Sequence, residues 1–211
     1  MQIIHALQWW WDHQTWEELV VLITGVLCVY LAAANNIWNW PIAILSTALS
    51  VYVFAEAALY ADMLQYVYLC ITSIYGWYHW AKHPKTEDKS PVIRITKKQI
   101  IISLVVIVAV TPTLGFLLIT FAAKLNYRPP AFPYLDSFLT TTSFVAQILL
   151  ARKVLENWLT WIFVDIIYTV LYFKKGLLDM SILFAILIVI AIFGHFDWLK
   201  AYKKQQSAIN G

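Results

Sequence analysis

Glu156-Asn157-Trp158-Leu159-Thr160-Trp161-Ile162-Phe163-Val164-Asp165-Ile166-Ile167-Tyr168-Thr169-Val170-Leu171-Tyr172-Phe173 is the stretch that decides how the rest of the chain is read. About 17 residues rising ~1.5 Å each come close to the ~30 Å hydrocarbon core of a bilayer, so the stretch predicts a membrane-spanning helix. It nevertheless carries Asp165 at its centre. A carboxylate at mid-membrane costs roughly 2.5 to 3.5 kcal/mol on insertion scales, so it is expected to face a cavity or a partner and to mark a pathway or binding site. At ~3.6 residues per turn, Trp158, Trp161, Asp165, Tyr168 and Tyr172 fall within an arc of roughly 80°. One face is aromatic with a single negative charge. Rings that sandwich a flat ligand, plus one anion, suit a cationic heteroaromatic solute. The competing reading is a lipid-facing aromatic belt with Asp165 paired to a lysine, but belts sit at the two interfaces rather than along a whole span.

The whole chain fits that setting. Its 211 residues are 61% hydrophobic and only 13% charged, where soluble domains run to about 25% charged, so the protein is integral to a membrane. The formal charge of +3 therefore bears on topology more than on nucleic acid. Cys28 and Cys70 sit in apolar runs with no metal or redox spacing and read as small core residues. No basic n-region with a cleavage site opens the chain, so no removable signal is expected. Trp9, Trp10, Trp11 and Trp16, among His5, Asp12 and His13, predict an interfacial segment over 1–16.

Continuous apolar windows cover 19–34, 38–55, 61–80, 100–123, 136–151, 157–173 and 178–198, which exclude a strand barrel and give seven spans. Loops on the C-terminal side hold Lys82, Lys85, Lys89, Arg94, Lys97, Lys98, Arg152, Lys153, Lys200, Lys203 and Lys204, against Lys124, Arg128, Lys174 and Lys175 on the other. The excess places the C-terminus in the cytoplasm and the N-terminus outside.

The chain also repeats itself. At an offset of 118, Glu18 falls on Asp136, Thr24 on Thr142, Asn39 on Asn157, Trp40 on Trp158, Leu59 on Leu177, Gly76 on Gly194, Trp80 on Trp198 and Lys82 on Lys200. Spans one to three thus match spans five to seven, and the odd fourth span restores the orientation of the second copy. The expected fold is an all-α integral membrane protein of seven transmembrane helices, two parallel three-helix repeats joined by a linker helix (3+1+3). Its parts are the 1–16 segment, a first bundle over 17–82, a cytoplasmic loop over 83–99, a linker over 100–123, a second bundle over 136–200 and a cytoplasmic tail over 201–211. Thr111-Pro112-Thr113 should bend the linker. Transporters built from such repeats hold their solute where the halves meet, near the midplane.

Span three adds a second polar-aromatic stripe, Gln65, Tyr68, Thr72, Tyr75 and His79, within about 80°. Span five adds Asp136, Thr140, Ser143 and Gln147 within roughly 60°. In span two, Trp40, Thr47 and Ser50 stand where Trp158, Asp165 and Tyr168 stand in span six. A charge in one half faces a hydroxyl in the other, which suits a solute charged at one end. Gln65 and Gln147 would alternatively hold helices together, and Thr47 would bond its own backbone. Asp62 and Asp136 begin their spans and are expected to cap them. His79 and His83 stand four apart without a third ligand, and no phosphate-loop, hydrolase or dinucleotide motif occurs, so neither metal nor cofactor is expected.

At Trp40-Pro41, at Gln65 running to Tyr75-Gly76-Trp77-Tyr78-His79-Trp80, and at Ala151-Arg152-Lys153-Val154-Leu155-Glu156-Asn157-Trp158-Leu159-Thr160-Trp161, the chain resembles the PnuC family of bacterial vitamin transporters. The resemblance implies a bacterial inner-membrane protein with a seven-helix fold like that of the full-length SWEET sugar facilitators, and facilitated diffusion rather than enzymatic turnover. It also implies solute retention through a cytoplasmic kinase, and a homotrimer. The family's carriers take nicotinamide riboside, thiamine (PnuT) or riboflavin (PnuX). Its nicotinamide riboside members tend to show asparagine where this chain has Asp165, four after Trp161, and Ser73. That departure inclines the reading to thiamine, with nicotinamide riboside as the alternative and riboflavin third. Trp158, Trp161 and Tyr168 would stack, Asp165 would answer the positive charge, and Gln147, Gln65 and Tyr75 would hydrogen-bond, with Ser143, Tyr68, Thr72, Trp40 and Thr47 completing the lining. The solute and membrane lipid are the expected partners, and nucleic acid is not. Two other classes compete: a membrane enzyme joining Asp165 to His195 or His79, and a purely structural bundle.

Overall fold

The computed structural model describes residues 16–56, 60–82, 91–124 and 132–210. Nearly all of the interfacial segment expected over 1–16 lies outside them, as do positions 83–90 of the expected loop, His83 among them. Seven helices run through the described residues: α1 (Trp16–Ala33), α2 (Asn39–Glu56), α3 (Tyr60–Lys82), α4 (Lys97–Lys124), α5 (Pro133–Ala151), α6 (Asn157–Lys174) and α7 (Leu178–Asn210). Each coincides with an expected span. The main departure is α7, which continues to Asn210, so the tail expected over 201–211 extends the last helix. Ala201, Lys203, Lys204 and Gln205 are all good helix formers, and nothing in the sequence stops them.

The helix ends have local causes. Pro41 stands in the first turn of α2, where its missing N–H costs nothing. Pro133 opens α5, leaving Phe132 at the cap and Asp136 inside the first turn, so Asp136 does not cap its helix as expected, though it still meets the dipole. α4 runs unbroken through Pro112. The turns after α1, α5 and α6 use left-handed residues, Asn35 (φ 53°), Lys153 (φ 56°) and Gly176 (φ 76°).

Helix neighbours form a closed ring, in which α1 packs on α2, α2 on α3, α3 on α5, α5 on α6, α6 on α7, and α7 back on α1. α4 packs only against α5, outside the ring. Among the described residues α1 does not pack on α3, nor α5 on α7. Within the ring each triplet, α1–α3 and α5–α7, runs as an open arc. α4 and α7 are by themselves long and apolar enough to cross a membrane, with mean hydropathy of 2.6 and 2.3. Ile101, Val108 and Phe116 of α4 face outward, as lipid contact requires.

The buried positions of the ring are small and hydroxylic: Ser46, Ser50, Thr72, Ser73, Ser137, Thr141, Thr142 and Ser181. Several return their hydroxyl to their own helix, as Ser73 does to Leu69 (2.7 Å) and Ser137 to Pro133 (2.7 Å), which hides the polar group and lets helices approach closely. Others link neighbours: Thr24 Oγ1 donates to Ser46 Oγ (3.0 Å), and Ser181 Oγ to the Thr169 carbonyl (3.0 Å).

Candidate functional site

The turn between α1 and α2 and the turn between α5 and α6 lie at the same end of the ring, and there the offset-118 pairs adopt matching geometry. Asn39 Nδ2 donates to the Asn36 carbonyl (2.6 Å), and Asn157 Nδ2 to the Val154 carbonyl (2.6 Å). Trp80 Nε1 donates to the Ala151 carbonyl (3.1 Å), and Trp198 Nε1 to the Ala32 carbonyl (3.1 Å). The Trp40 ring lies where a side chain on Gly76 would stand, and the Trp158 ring does the same at Gly194. Each forms an edge-on pair, Trp40 with Trp80 at 5.3 Å and Trp158 with Trp198 at 5.5 Å, while Trp80 and Trp198 meet at 5.9 Å. Four indoles thereby plug this end of the ring within the main apolar core cluster.

Lys153 and Asn35, themselves 118 apart, close the plug. Lys153 is only 2% exposed, and its ammonium donates to Asn35 Oδ1 and lies 3.9 Å above the Trp80 ring. A charge counted from sequence among the aqueous loop residues is instead buried between the halves. The remaining loop cations keep the excess on this side. Trp40 Nε1, Trp158 Nε1, Asn35 Nδ2 and Asn157 Oδ1 are buried without a hydrogen-bond partner among the described residues.

Asp165 lies two turns deeper on α6, about 10 Å along the axis from Trp158. It is 4% exposed, and its carboxylate has neither an ion-pair nor a hydrogen-bond partner among the described residues. The lysine partner of the competing reading is therefore absent there. Ile166 and Phe163 beside it face outward, so the acid points away from lipid. Tyr168, one turn on, meets the Thr140 side chain of α5, and the Asp136 and Asp165 charges both act on it. Its ring stacks on Phe184 of α7 at 4.8 Å and on Tyr172 at 5.9 Å.

The remaining expected residues are dispersed. Trp161, Gln147 and Ser143 are half-buried on α6 and α5, and Ser143 returns its hydroxyl to Leu139 (2.9 Å). Trp158 and Trp40, expected to stack on solute, are 1% exposed and wedged against Gly194 and Gly76 in the plug. Tyr68 binds the halves together, its hydroxyl on the Phe144 carbonyl (2.9 Å) and its ring 4.0 Å from that of Phe144. Thr47 and Thr72 bond their own helices, to Ala43 (2.7 Å) and Tyr68 (2.9 Å). Gln65 is exposed at the far end of the face that carries buried Thr72. Tyr75 lines a cavity of about 370 Å³ with His79, Pro91, Ile93, Gln99, Arg152 and Lys153, and Asp165 is not part of its wall. Since His79 belongs to that wall and Asp165 does not, the enzyme reading has no converged pair there.

No sequence pattern announces the strap over 91–96. Ile93 pairs with Val154 in a parallel bridge through Ile93 N to Lys153 O (3.0 Å) and Leu155 N to Ile93 O (2.9 Å). Arg94 pairs with Glu156 (2.6 Å), which also accepts from Ile95 N (2.8 Å), and Val92 N donates to Gln205 of α7 (3.2 Å). Six residues outside any helical period leave no pattern to read, although Glu156 next to a helix start was the available hint.

A closed ring of apolar helices with many buried hydroxyls and one buried acid has the build of a multi-pass membrane protein. A family model described as nicotinamide mononucleotide transporter matches residues 15–200. The chain is 31% identical over 212 residues to the nicotinamide riboside transporter PnuC of Escherichia coli, covering 92% of this chain and 89% of that one. It is 23% identical over 202 residues to the riboflavin/roseoflavin transporter RibM of Streptomyces davaonensis, covering 95% and 92%. A crystal structure of the vitamin B3 transporter PnuC superposes with a TM-score of 0.67 at 25% identity, over 95% of this chain and 88% of that one. The chain belongs to the nicotinamide mononucleotide transporter (PnuC) family, a family of vitamin transporters, as its motifs implied.

Proposed function

We propose that this protein carries nicotinamide riboside across the bacterial inner membrane by facilitated diffusion. The observation that carries the reading is the 31% identity, across nine-tenths of the chain, to a transporter named for that solute. It displaces thiamine, which the sequence favoured because of Asp165; the relatives are named for nicotinamide riboside and riboflavin. Nicotinamide riboside is itself a pyridinium cation, and a buried carboxylate without a protein partner is suited to it. In this reading Asp165 answers the ring charge, Trp161 and Tyr168 flank the ring, and Gln147 and Ser143 serve the ribose.

The two arcs act as parallel repeats, supported by the matching bonds of Trp80 and Trp198. The plugged end faces the cytoplasm, supported by the lysine and arginine excess there. Solute is retained by a cytoplasmic kinase, and the assembly is a homotrimer.

Reconstituted protein in vesicles without ATP or ion gradients tests the reading. Labelled nicotinamide riboside should equilibrate faster than thiamine or riboflavin. Asp165→Ala should lower uptake at limiting solute about tenfold or more, the loss of a charge-assisted contact, while Asp165→Asn keeps part of it. Faster thiamine flux, or unchanged uptake in Asp165→Ala, would refute it. Riboflavin is uncharged, so riboflavin flux indifferent to Asp165 would favour that solute instead.

A further inference from the structure

We propose that the 370 Å³ cavity at the seam of α3 and α5 is a second, non-transporting site that takes a phosphomonoester and, when filled, holds the plugged end shut. Pockets of about 300 Å³ and above accept small metabolites. Of the residues expected to meet the solute only Tyr75 lines this cavity; Asp165, Trp161, Tyr168, Gln147 and Ser143, which carry the transport reading, do not, and this separates the cavity from the Asp165 site.

The chemistry of its walls selects the ligand class. Among the described residues Arg152, Lys153 and His79 line it, and no Asp or Glu does. The nearby Glu156 is engaged by Arg94 (2.6 Å) and Ile95 N (2.8 Å). Arg152 is held by a bond from Nε to the Tyr75 hydroxyl (3.2 Å), which fixes the guanidinium at the rim. Its two terminal nitrogens have no bond to any described residue, and their fork matches two oxygens of a phosphate. The carboxamide oxygen of Gln99 accepts from Thr96 N (2.8 Å) and Thr96 Oγ1 (2.9 Å), so its NH₂ can only donate. Tyr75 and His79 stack at 5.8 Å, and with Ile93 they form a flat wall for a ring attached to the phosphate. Fixed donors on one side and stacked rings on the other fit a phosphorylated aromatic nucleoside.

The cavity is also tied to the plug. Lys153 forms part of its wall and, at the same time, bonds Asn35 across the halves. A phosphate held by Arg152, whose Nε is bonded to Tyr75, spans the α3–α5 seam and fixes the turn from which Lys153 reaches Asn35. The regulatory meaning rests on the transport reading above: a kinase that traps the solute produces this class of compound on this side of the membrane, so the trapped product slows further entry.

Two independent measurements test the site. In the first, purified protein in detergent is titrated calorimetrically with nicotinamide mononucleotide, inorganic phosphate and nicotinamide riboside. The mononucleotide should bind, inorganic phosphate more weakly, and riboside should not displace it. Arg152→Gln and Ile93→Glu, the second placing a carboxylate in the wall, should each weaken mononucleotide binding about tenfold or more while riboside binding holds. No mononucleotide binding, equal binding to both variants, or displacement by riboside overturns the proposal. The same titration in nanodiscs of phosphatidylglycerol against phosphatidylcholine separates the source of the phosphate. Binding abolished only in phosphatidylglycerol makes a lipid headgroup the occupant and overturns a soluble one. In the second, mononucleotide sealed inside vesicles should slow riboside influx into wild type but not into Arg152→Gln. Failure of riboside influx would sink the transport reading and leave the binding result standing; unslowed influx would sink the regulatory role.

Discussion

The plug makes a quantitative prediction at Gly76. A Cβ built there falls 2.4, 2.5 and 2.6 Å from Cη2, Cζ2 and Cζ3 of Trp40, about 1 Å inside ordinary contact with three atoms of a rigid ring. Trp40 is 1% exposed and pinned edge-on against Trp80 at 5.3 Å, so the ring has nowhere to retreat. Overpacking of this kind costs about 1–3 kcal/mol, against about 1 kcal/mol that alanine returns as a better helix former. Gly25, mid-helix in α1 with nothing within 4 Å of the same position, measures that second effect alone. Gly25→Ala should therefore raise the melting temperature in detergent by roughly 2–4 °C, where Gly76→Ala lowers or fails to raise it. In a Trp40→Leu background, which removes the clashing ring, Gly76→Ala should become as favourable as Gly25→Ala, a coupling of about 1–3 kcal/mol. Equal melting shifts for Gly76→Ala and Gly25→Ala in the wild-type background, with no coupling to Trp40, would refute the packing described for this end of the ring.

Three further outcomes follow from the same geometry. Trp80→Phe and Trp198→Phe each delete one indole bond of 3.1 Å to a helix-end carbonyl, so each should cost about 1–2 kcal/mol and lower the melting temperature by a similar amount; a large inequality would contradict the equivalence of the two ends. Glu156→Ala removes the Arg94 pair and leaves Ile95 N without its acceptor, and hydrogen exchange at Ile95 should accelerate about tenfold or more while the helix cores are unchanged. Gly176→Ala meets no steric obstacle but must hold φ at +76°, so it should lose about 1 kcal/mol in thermal unfolding, with transport unaffected.

Much of the fold was legible because apolar runs long enough to cross a bilayer leave few alternatives, and all seven became helices. The pairs Asn39/Asn157, Trp40/Trp158, Gly76/Gly194 and Trp80/Trp198 were legible because a large ring against a glycine is a two-residue constraint that both copies retain. The burial of those rings was not. Spacing puts Trp158 on the face of Asp165, but periodicity gives an angle around the helix and says nothing about depth, and Trp158 lies two turns away from the acid, packed against Gly194. Thr47 and Thr72 were ambiguous for a related reason, since a hydroxyl on an inner face can return to its own backbone, as both do. Lys153 was misread as a loop charge because a single left-handed residue folds it back between the halves, and no local pattern announces that turn.

The strap has a mechanical consequence. It stitches the chain just before α4 to the α5–α6 turn by two backbone bonds and an ion pair, and to α7 through Gln205, whereas α1, α2 and α3 meet the rest, among the described residues, along two helix seams and through the side chains of the plug and the α5–α6 turn. The molecule is lopsided: among the described residues the strap ties α4, the α5–α6 turn and α7 to one another and leaves α1, α2 and α3 outside it. If the inner mouth opens, the swing belongs to the N-terminal arc, and spin labels on α2 and α3 should travel while labels on α4 and α6 keep their mutual distance.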